Sequence, residues 1–285
     1  MGIVHQDSNK WDYNNSEKTH LQYLKRILGV NRSTTNILIR GEINRHSLQE
    51  EILRRNIKYA KYLYHKTDEV IVKQAYNFEL NRPPGCINFT STMLKHTEHL
   101  HSLHNRFLPF QDPFANIYQI SEAKLKAYTY QIFHNEWKSK LDTSTKGETY
   151  KRFKANMKQE PYLKLLNRKE RVSLTKFRVS DHKLMIEEGR RKRPKLPREN
   201  RTCNWCPTNI EDEQHFLTEC KLYASRHRLY HQVETLYPTF TLLDSHQKFL
   251  YLMSQEDEDI TTSLAKVIHD WQQLRAFLDL YFFQP

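Results

Sequence analysis

The stretch RTCNWCPTNIEDEQHFLTECKLYASRHRL, residues 201–229, places Cys203, Cys206, His215 and Cys220 in the spacing C-x2-C-x8-H-x4-C. Two thiolates with two residues between them can hold one ion from a tight turn, and the His–Cys pair further along closes a tetrahedron from the other side. Because protein groups would fill every position, the site reads as structural: one Zn2+ folds a short loop and activates no water. The competing reading is three ordinary buried cysteines beside a chance histidine. We take the stretch as a zinc knuckle, and the chain around it as the scaffold that carries it.

That scaffold is strongly basic on one side of the knuckle. The 285 residues carry a formal net charge of +12. Residues 151–201 alone hold 18 Lys and Arg against 6 Asp and Glu, so this segment accounts for the whole excess and the rest of the chain balances. A concentrated positive stripe releases counterions when it meets a phosphate backbone, the main sequence-independent term in nucleic-acid binding. The expected phosphate contacts are Arg178, Lys183, Arg190, Arg191, Lys192, Arg193, Lys195, Arg198 and Arg201. Trp205, between the first two cysteines, is either a stacking surface for an unpaired base or part of the knuckle's own core. The run Arg190–Arg193 also fits a solvated basic face or a nuclear-import signal. Glu211, Asp212 and Glu213 would repel phosphate, so they are expected to face away from it or to brace ligand or backbone groups.

Outward from this centre the chain reads as mostly α: helical bundle subdomains with a small CCHC knuckle inserted before C-terminal helices. Its segments are a helical region over 1–80, a helical connector over 81–149, a basic helical segment and linker over 150–200, the knuckle over 201–225 and C-terminal helices over 226–285. Ser16 is expected to cap a first helix that ends at Gly29, where a left-handed residue is wanted. Thr34 and Thr35 precede a short apolar stretch. Ser47 with Glu50 forms a capping-box pattern ahead of the stripe Leu48, Ile52, Leu53, Ile57, Ala60 and Leu63. Pro83-Pro84-Gly85 and the Pro109–Pro113 stretch break the chain, and Ser121 starts a long helix. Further helices are expected over 148–157 and 171–179, after a cap at Ser180, over 223–236, from Asp244 or Ser245 to Met253, and over 260–282.

Other constellations say less. His96, His99, His101 and His104, with Glu98 and Cys86, could form a second metal site, but no four of them share a helical face. His227 and His231 could compete for the knuckle's fourth position. No nucleophile–base set stands out, and no G-x-S-x-G elbow occurs. No apolar run approaches a membrane span, and residues 1–10 lack a signal-peptide core. Reduced, metal-binding cysteines point to an intracellular location, the nucleus ahead of the cytoplasm.

Residues 150–228 resemble the segment downstream of the polymerase domain in the reverse-transcriptase proteins of non-LTR (LINE-type) retrotransposons. The matching pieces are YKRFKANMKQEPYLKLL from Tyr150, LTKFRVSDHKLMIEEGR from Leu174, and the knuckle stretch from Arg201. Arg178, Ser180, His182, Leu184, Ile186, Glu187, Gly189 and Arg190 fall on the family's first run. Ile210 to Glu213, His215 to Leu217, Cys220, Tyr223 and Arg226 fall on the second. LQYLKRILGVNRSTTNILIRGEINRHSLQEEILRRNIKYAKYL from Leu21 is similar to the thumb-proximal region of the same proteins. The resemblance implies a nucleic-acid-holding tail for RNA template or target DNA, a reverse-transcriptase core as partner, and no small-molecule substrate. The palm aspartates of that family are missing, since no Asp-Asp pair occurs, and no endonuclease motif is recognisable. The chain is therefore expected to have no catalysis of its own. The remaining alternatives are a protein-interaction module, in which the basic stripe is incidental, and a non-functional element fragment.

Overall fold

In the computed structural model, residues 12–80 and 121–282 are described. The proline breaks at 83–85 and 109–113 and the histidine stretch with Cys86 lie outside them. Among the described residues the chain is helical without strands, save one antiparallel bridge between Thr202 and Ile210. The helices are α1 (Asp12–Leu28), α2 (Asn36–Ile43), α3 (Leu48–Tyr64), α4 (Ile71–Leu80), α5 (Glu122–Asp142), α6 (Tyr150–Phe153), α7 (Tyr162–Leu165) and α8 (Arg168–Arg178). After these come α9 (Met185–Arg191), a π-helical turn at His215–Glu219, α10 (Arg226–Leu236), α11 (Ser245–Met253) and α12 (Glu258–Phe282). None of the described helices is long and apolar enough to cross a membrane.

Packing divides the chain differently from its linear order. One unit comprises residues up to Leu21 together with His46–Ser139; the other comprises Gln22–Arg45 and Lys140–Pro285. In the first, α3 buries Leu53, Ile57, Ala60 and Leu63 against Tyr76, Leu125 and Phe133. These four sit three or four residues apart, so they form one helical face, as the periodicity predicts. Ser47 does occupy the N-cap of α3, but its hydroxyl makes no cap bond. Glu50 N bonds the Ser47 carbonyl at 3.1 Å, and the Glu17 carboxylate accepts from Leu48 N at 2.8 Å, a negative group at the positive end of the helix. Ser121 caps α5 through Lys124 N as expected. Ser16 lies inside α1 rather than at its start.

In the second unit the core runs through α7, α8, the knuckle and α10–α12. Gly29 takes a left-handed φ of +69° after α1, and a Cβ there would sit 2.6 Å from Val172 Cγ2, so both backbone and space call for glycine. The helix expected over 148–157 is only the single turn α6. Ser180 does not open the next helix but closes α8. It has a left-handed φ of 55°, with Asp181 N bonded to Lys176 O at 2.8 Å and Ser180 N to Phe177 O at 3.4 Å, the Schellman pattern of a helix C-terminus. α11 starts at Asp244 with a complete capping box through Gln247, and α12 buries Leu264, Ile268 and Trp271 along one side.

Candidate metal centre

The knuckle begins where Thr202 pairs with Ile210 and pulls residues 203–209 into a loop. Cys203 N donates to Asn209 O at 2.9 Å, Asn209 N to Cys206 O at 2.9 Å, and Cys206 N to Cys203 O at 3.3 Å. This tight turn brings the first two thiols to the same side. The π-helical turn then delivers His215 and, one residue past its end, Cys220. The candidate ligand atoms of Cys203, Cys206, His215 and Cys220 all lie within 4.8 Å of one another, and all four residues are buried.

Two observations test whether an ion fits. The Sγ of Cys220 is 3.8 Å from that of Cys203 and 4.0 Å from that of Cys206. A tetrahedron with ion–sulfur bonds of ~2.3 Å has edges of ~3.8 Å, so the thiols already stand at ligand separation. The Nε2 atom of His215 is buried with no hydrogen-bond partner, while its Nδ1 faces Glu219 Oε2 at 3.5 Å. A carboxylate on one ring nitrogen leaves the other to point at an ion. The cluster can hold a metal ion.

Charge inside the cluster supports this. The hydrogen bond from Cys220 holds the Cys203 thiol down in the thiolate range, and the same contact pushes the Cys220 thiol up. Burial alone would pull the His215 imidazole down, but contact with Cys203, the charge of Cys206 and the Glu219 carboxylate carry it up to about 9. An incoming cation must displace those protons, so occupancy falls as the pH is lowered. Lys221 N donates to Cys206 Sγ at 3.5 Å, a further restraint on that sulfur.

The acidic run beside the ligands faces inward, as expected. Glu211 receives both Nε and Nη2 of Arg275 at 2.8 Å and also Met185 N at 2.7 Å. Asp212 caps the turn through His215 N at 2.9 Å. The Glu213 carboxylate accepts from Ser180 Oγ at 2.8 Å, His182 Nε2 at 2.9 Å and Thr149 Oγ1 at 3.0 Å. Burial opposes its ionisation, but His182 and Ser180 overcome that and hold it down to about 2. Behind the ligands, Phe216 packs among Phe177, Tyr223 and Trp271 with centroids 4.5–5.8 Å away.

The expected phosphate contacts divide into two groups. Lys183, Arg191, Lys192, Arg193, Lys195 and Arg198 are exposed. Arg190 is half-buried and pairs with Glu187 at 2.8 Å. Arg178 and Arg201 correct the sequence reading, because both are interior. Arg178 bonds Glu42 at 3.0 Å, Glu160 at 2.9 Å and Met253 O at 2.7 Å. Arg201 donates to Leu196 O through Nε and Nη2, at 3.0 and 2.7 Å, and to Ile186 O at 3.1 Å. Its stem passes over Gly189, where a Cβ would lie 2.7 Å from Arg201 Cγ. With Leu196 N bonded to Gly189 O at 2.9 Å, these contacts anchor the basic segment as a loop. Trp205 is half-buried against the core, its ring edge-on to Phe282 at 6.3 Å. His227 and His231 stand on α10 outside the four-residue cluster.

Sequence reasoning missed Glu219 as the partner of His215. Its position directly before Cys220, four residues after His215 on one turn, was the available signal. Comparison with family models, with curated proteins and with solved structures returns no match.

Proposed function

We propose that this chain is a zinc-dependent nucleic-acid-binding module. It would hold RNA template or target DNA beside a reverse-transcriptase core, as the resemblance to the C-terminal part of LINE-type proteins implies, with no polymerase or endonuclease site of its own. The observation that carries the reading is the joining of two features. A buried Cys3His cluster with tetrahedral spacing is followed back along the chain by a basic loop, Arg191–Arg198, anchored at both ends and facing solvent. Three thiol ligands and one imidazole suit Zn2+ better than a hard cation. When bound, the ion would supply structural cross-linking only. The loop's cations make the phosphate contacts, and the fixed ends lower the ordering cost of binding. A nuclear setting fits such a partner.

The test is a titration of the purified chain against a labelled single-stranded RNA and a duplex DNA over a salt series, zinc-loaded and chelated. The expected result is steep salt dependence, with affinity lost on chelation and in Cys206→Ser. Salt-sensitive binding indifferent to zinc would leave the basic loop acting alone, and absence of binding would refute the proposal. One observation favours a protein-interaction reading instead. The end of α12 exposes Phe277, Leu280, Tyr281 and Phe282 together, an apolar patch of the kind that contacts partners. Capture of a polymerase core by a chain that ignores RNA would establish that reading.

A further inference from the structure

The outer face of α3 has a composition that its buried stripe conceals. From Arg54 to Lys66 the sequence reads RRNIKYAKYLYHK, with five Lys or Arg and no acidic residue. Opposite Leu53, Ile57, Ala60 and Leu63, helical spacing of four and three residues aligns Arg55, Tyr59 and Tyr62, and Lys66 follows two residues past the helix end. Tyr59 and Tyr62 are 40% and 51% exposed, far more than a large aromatic ring seeks when it has a core to join. Their rings lie nearly parallel, 17° apart with centroids 6.3 Å from each other. Lys66 Nζ stands 4.5 Å over the Tyr62 ring at one end of the row, and the Arg55 side chain is 76% exposed at the other. Glu51 pairs with Arg54 and Arg55, and Glu122 with Lys58, which leaves an excess of positive charge on the face.

We propose that this face binds an unpaired nucleic-acid strand, with bases stacked on Tyr59 and Tyr62 and phosphates held by Arg55 and Lys66. Cation–aromatic–aromatic–cation order along one line matches the repeat of a single strand, in which every nucleotide brings one flat ring and one negative charge. Sequence-tolerant strand binding uses this pairing of a positive track with aromatic platforms. A duplex hides its rings in the stack and gains nothing from the tyrosines, so charge complementarity together with exposed parallel rings selects the single strand. The face belongs to the unit that does not contain the knuckle. The two proposals therefore fail separately: Cys206→Ser addresses the knuckle, and the tyrosines address this face.

The experiment uses the full, zinc-loaded chain and labelled oligouridine, with a blunt duplex and heparin as comparisons. Tyr62→Leu is expected to weaken oligouridine binding about tenfold, at ~1.4 kcal/mol per tenfold, and Tyr59→Leu/Tyr62→Leu further. Tyr62→Phe should retain affinity, since the ring is kept. Arg55→Gln/Lys66→Gln should flatten the log–log salt slope by about 1.4, two phosphates at ~0.7 each on a single strand. Arg55, Tyr59 and Tyr62 are exposed and Lys66 is half-buried, so thermal melts should stay within a few degrees of the parent's. Unchanged oligouridine affinity in the double leucine variant would overturn the proposal, as would an equal loss of duplex or heparin binding in the same variant.

Discussion

Replacing Arg178 by Met separates a structural arginine from a nucleic-acid contact. The guanidinium lies between Glu42, which is 0% exposed, and Glu160, with its third direction on Met253 O and the rings of Phe153 and Tyr162 at 4.8 and 5.4 Å. Burial alone would pull the Arg178 pKa down, yet the two carboxylates push it well above its ordinary value, so the charge persists throughout the folded range. Met matches the stem but leaves Glu42 buried with only the Tyr162 hydroxyl. Breaking a buried pair from one side costs ~3–5 kcal/mol. In a unit of this size each kcal/mol moves Tm by about 2–4 °C, so a fall of about 6–20 °C is expected. The slope of log affinity against log salt should not change. Arg193→Gln, on the anchored loop, should do the reverse, leaving Tm in place and flattening the slope by ~0.7–0.9. Calorimetry and a salt-series titration on both variants check this. An Arg178→Met chain that melts with the parent and loses salt dependence would refute the burial argument. Adding Glu42→Gln should restore part of the lost stability, since it removes the stranded charge.

Glu213 should make the protein acid-sensitive. Its pKa of about 2 in the fold lies below the ordinary 4.5, so its stabilisation is complete above pH 4.5 and is lost as the pH falls towards 2. That is ~3 kcal/mol across the window, and Glu213→Gln should be less stable at neutral pH with a flatter acid limb in denaturant titrations. Glu219→Ala, which strips His215 Nδ1 of its carboxylate, should weaken metal affinity by ~10–100-fold in a chelator competition. The conservative Glu219→Gln should recover part of that. Asp244→Ala removes the acceptor that holds Gln247 N at 2.8 Å and should cost ~1 kcal/mol in thermal melts, with no effect on metal affinity.

What the sequence made legible was whatever is encoded over short distances. The four clustered Cys and His residues, the start of α11 at Asp244 and the buried part of the α3 stripe each depend on neighbours within a few turns, and the structure places these as expected, whereas Ile52 of that stripe is 39% exposed. Partners from far along the chain were not legible. Nothing near Arg178 or Arg201 distinguishes an interior arginine from a surface one, and the group that fixes Arg178, Glu42, stands 136 residues away. Ser180 looked like a helix cap because its residue type suits one. Its left-handed backbone, tolerated by a serine whose hydroxyl is held by Glu213, ends the preceding helix instead. Ser47 differs for a local reason: Glu50 N, the donor its hydroxyl would take in a capping box, is bonded to the Ser47 carbonyl at 3.1 Å.

The bidentate clasp of Arg275 on Glu211 carries a consequence for the order of assembly. Synthesis releases all four ligands before α12 exists, and 64 residues separate Glu211 from Arg275. At ~5–20 residues per second the interval is about 3–13 s. Throughout that interval Glu211 lacks its counter-charge and Trp271 is not yet there to cover Phe216. An ion that met the nascent chain in this interval would enter a loop whose outer packing is still incomplete.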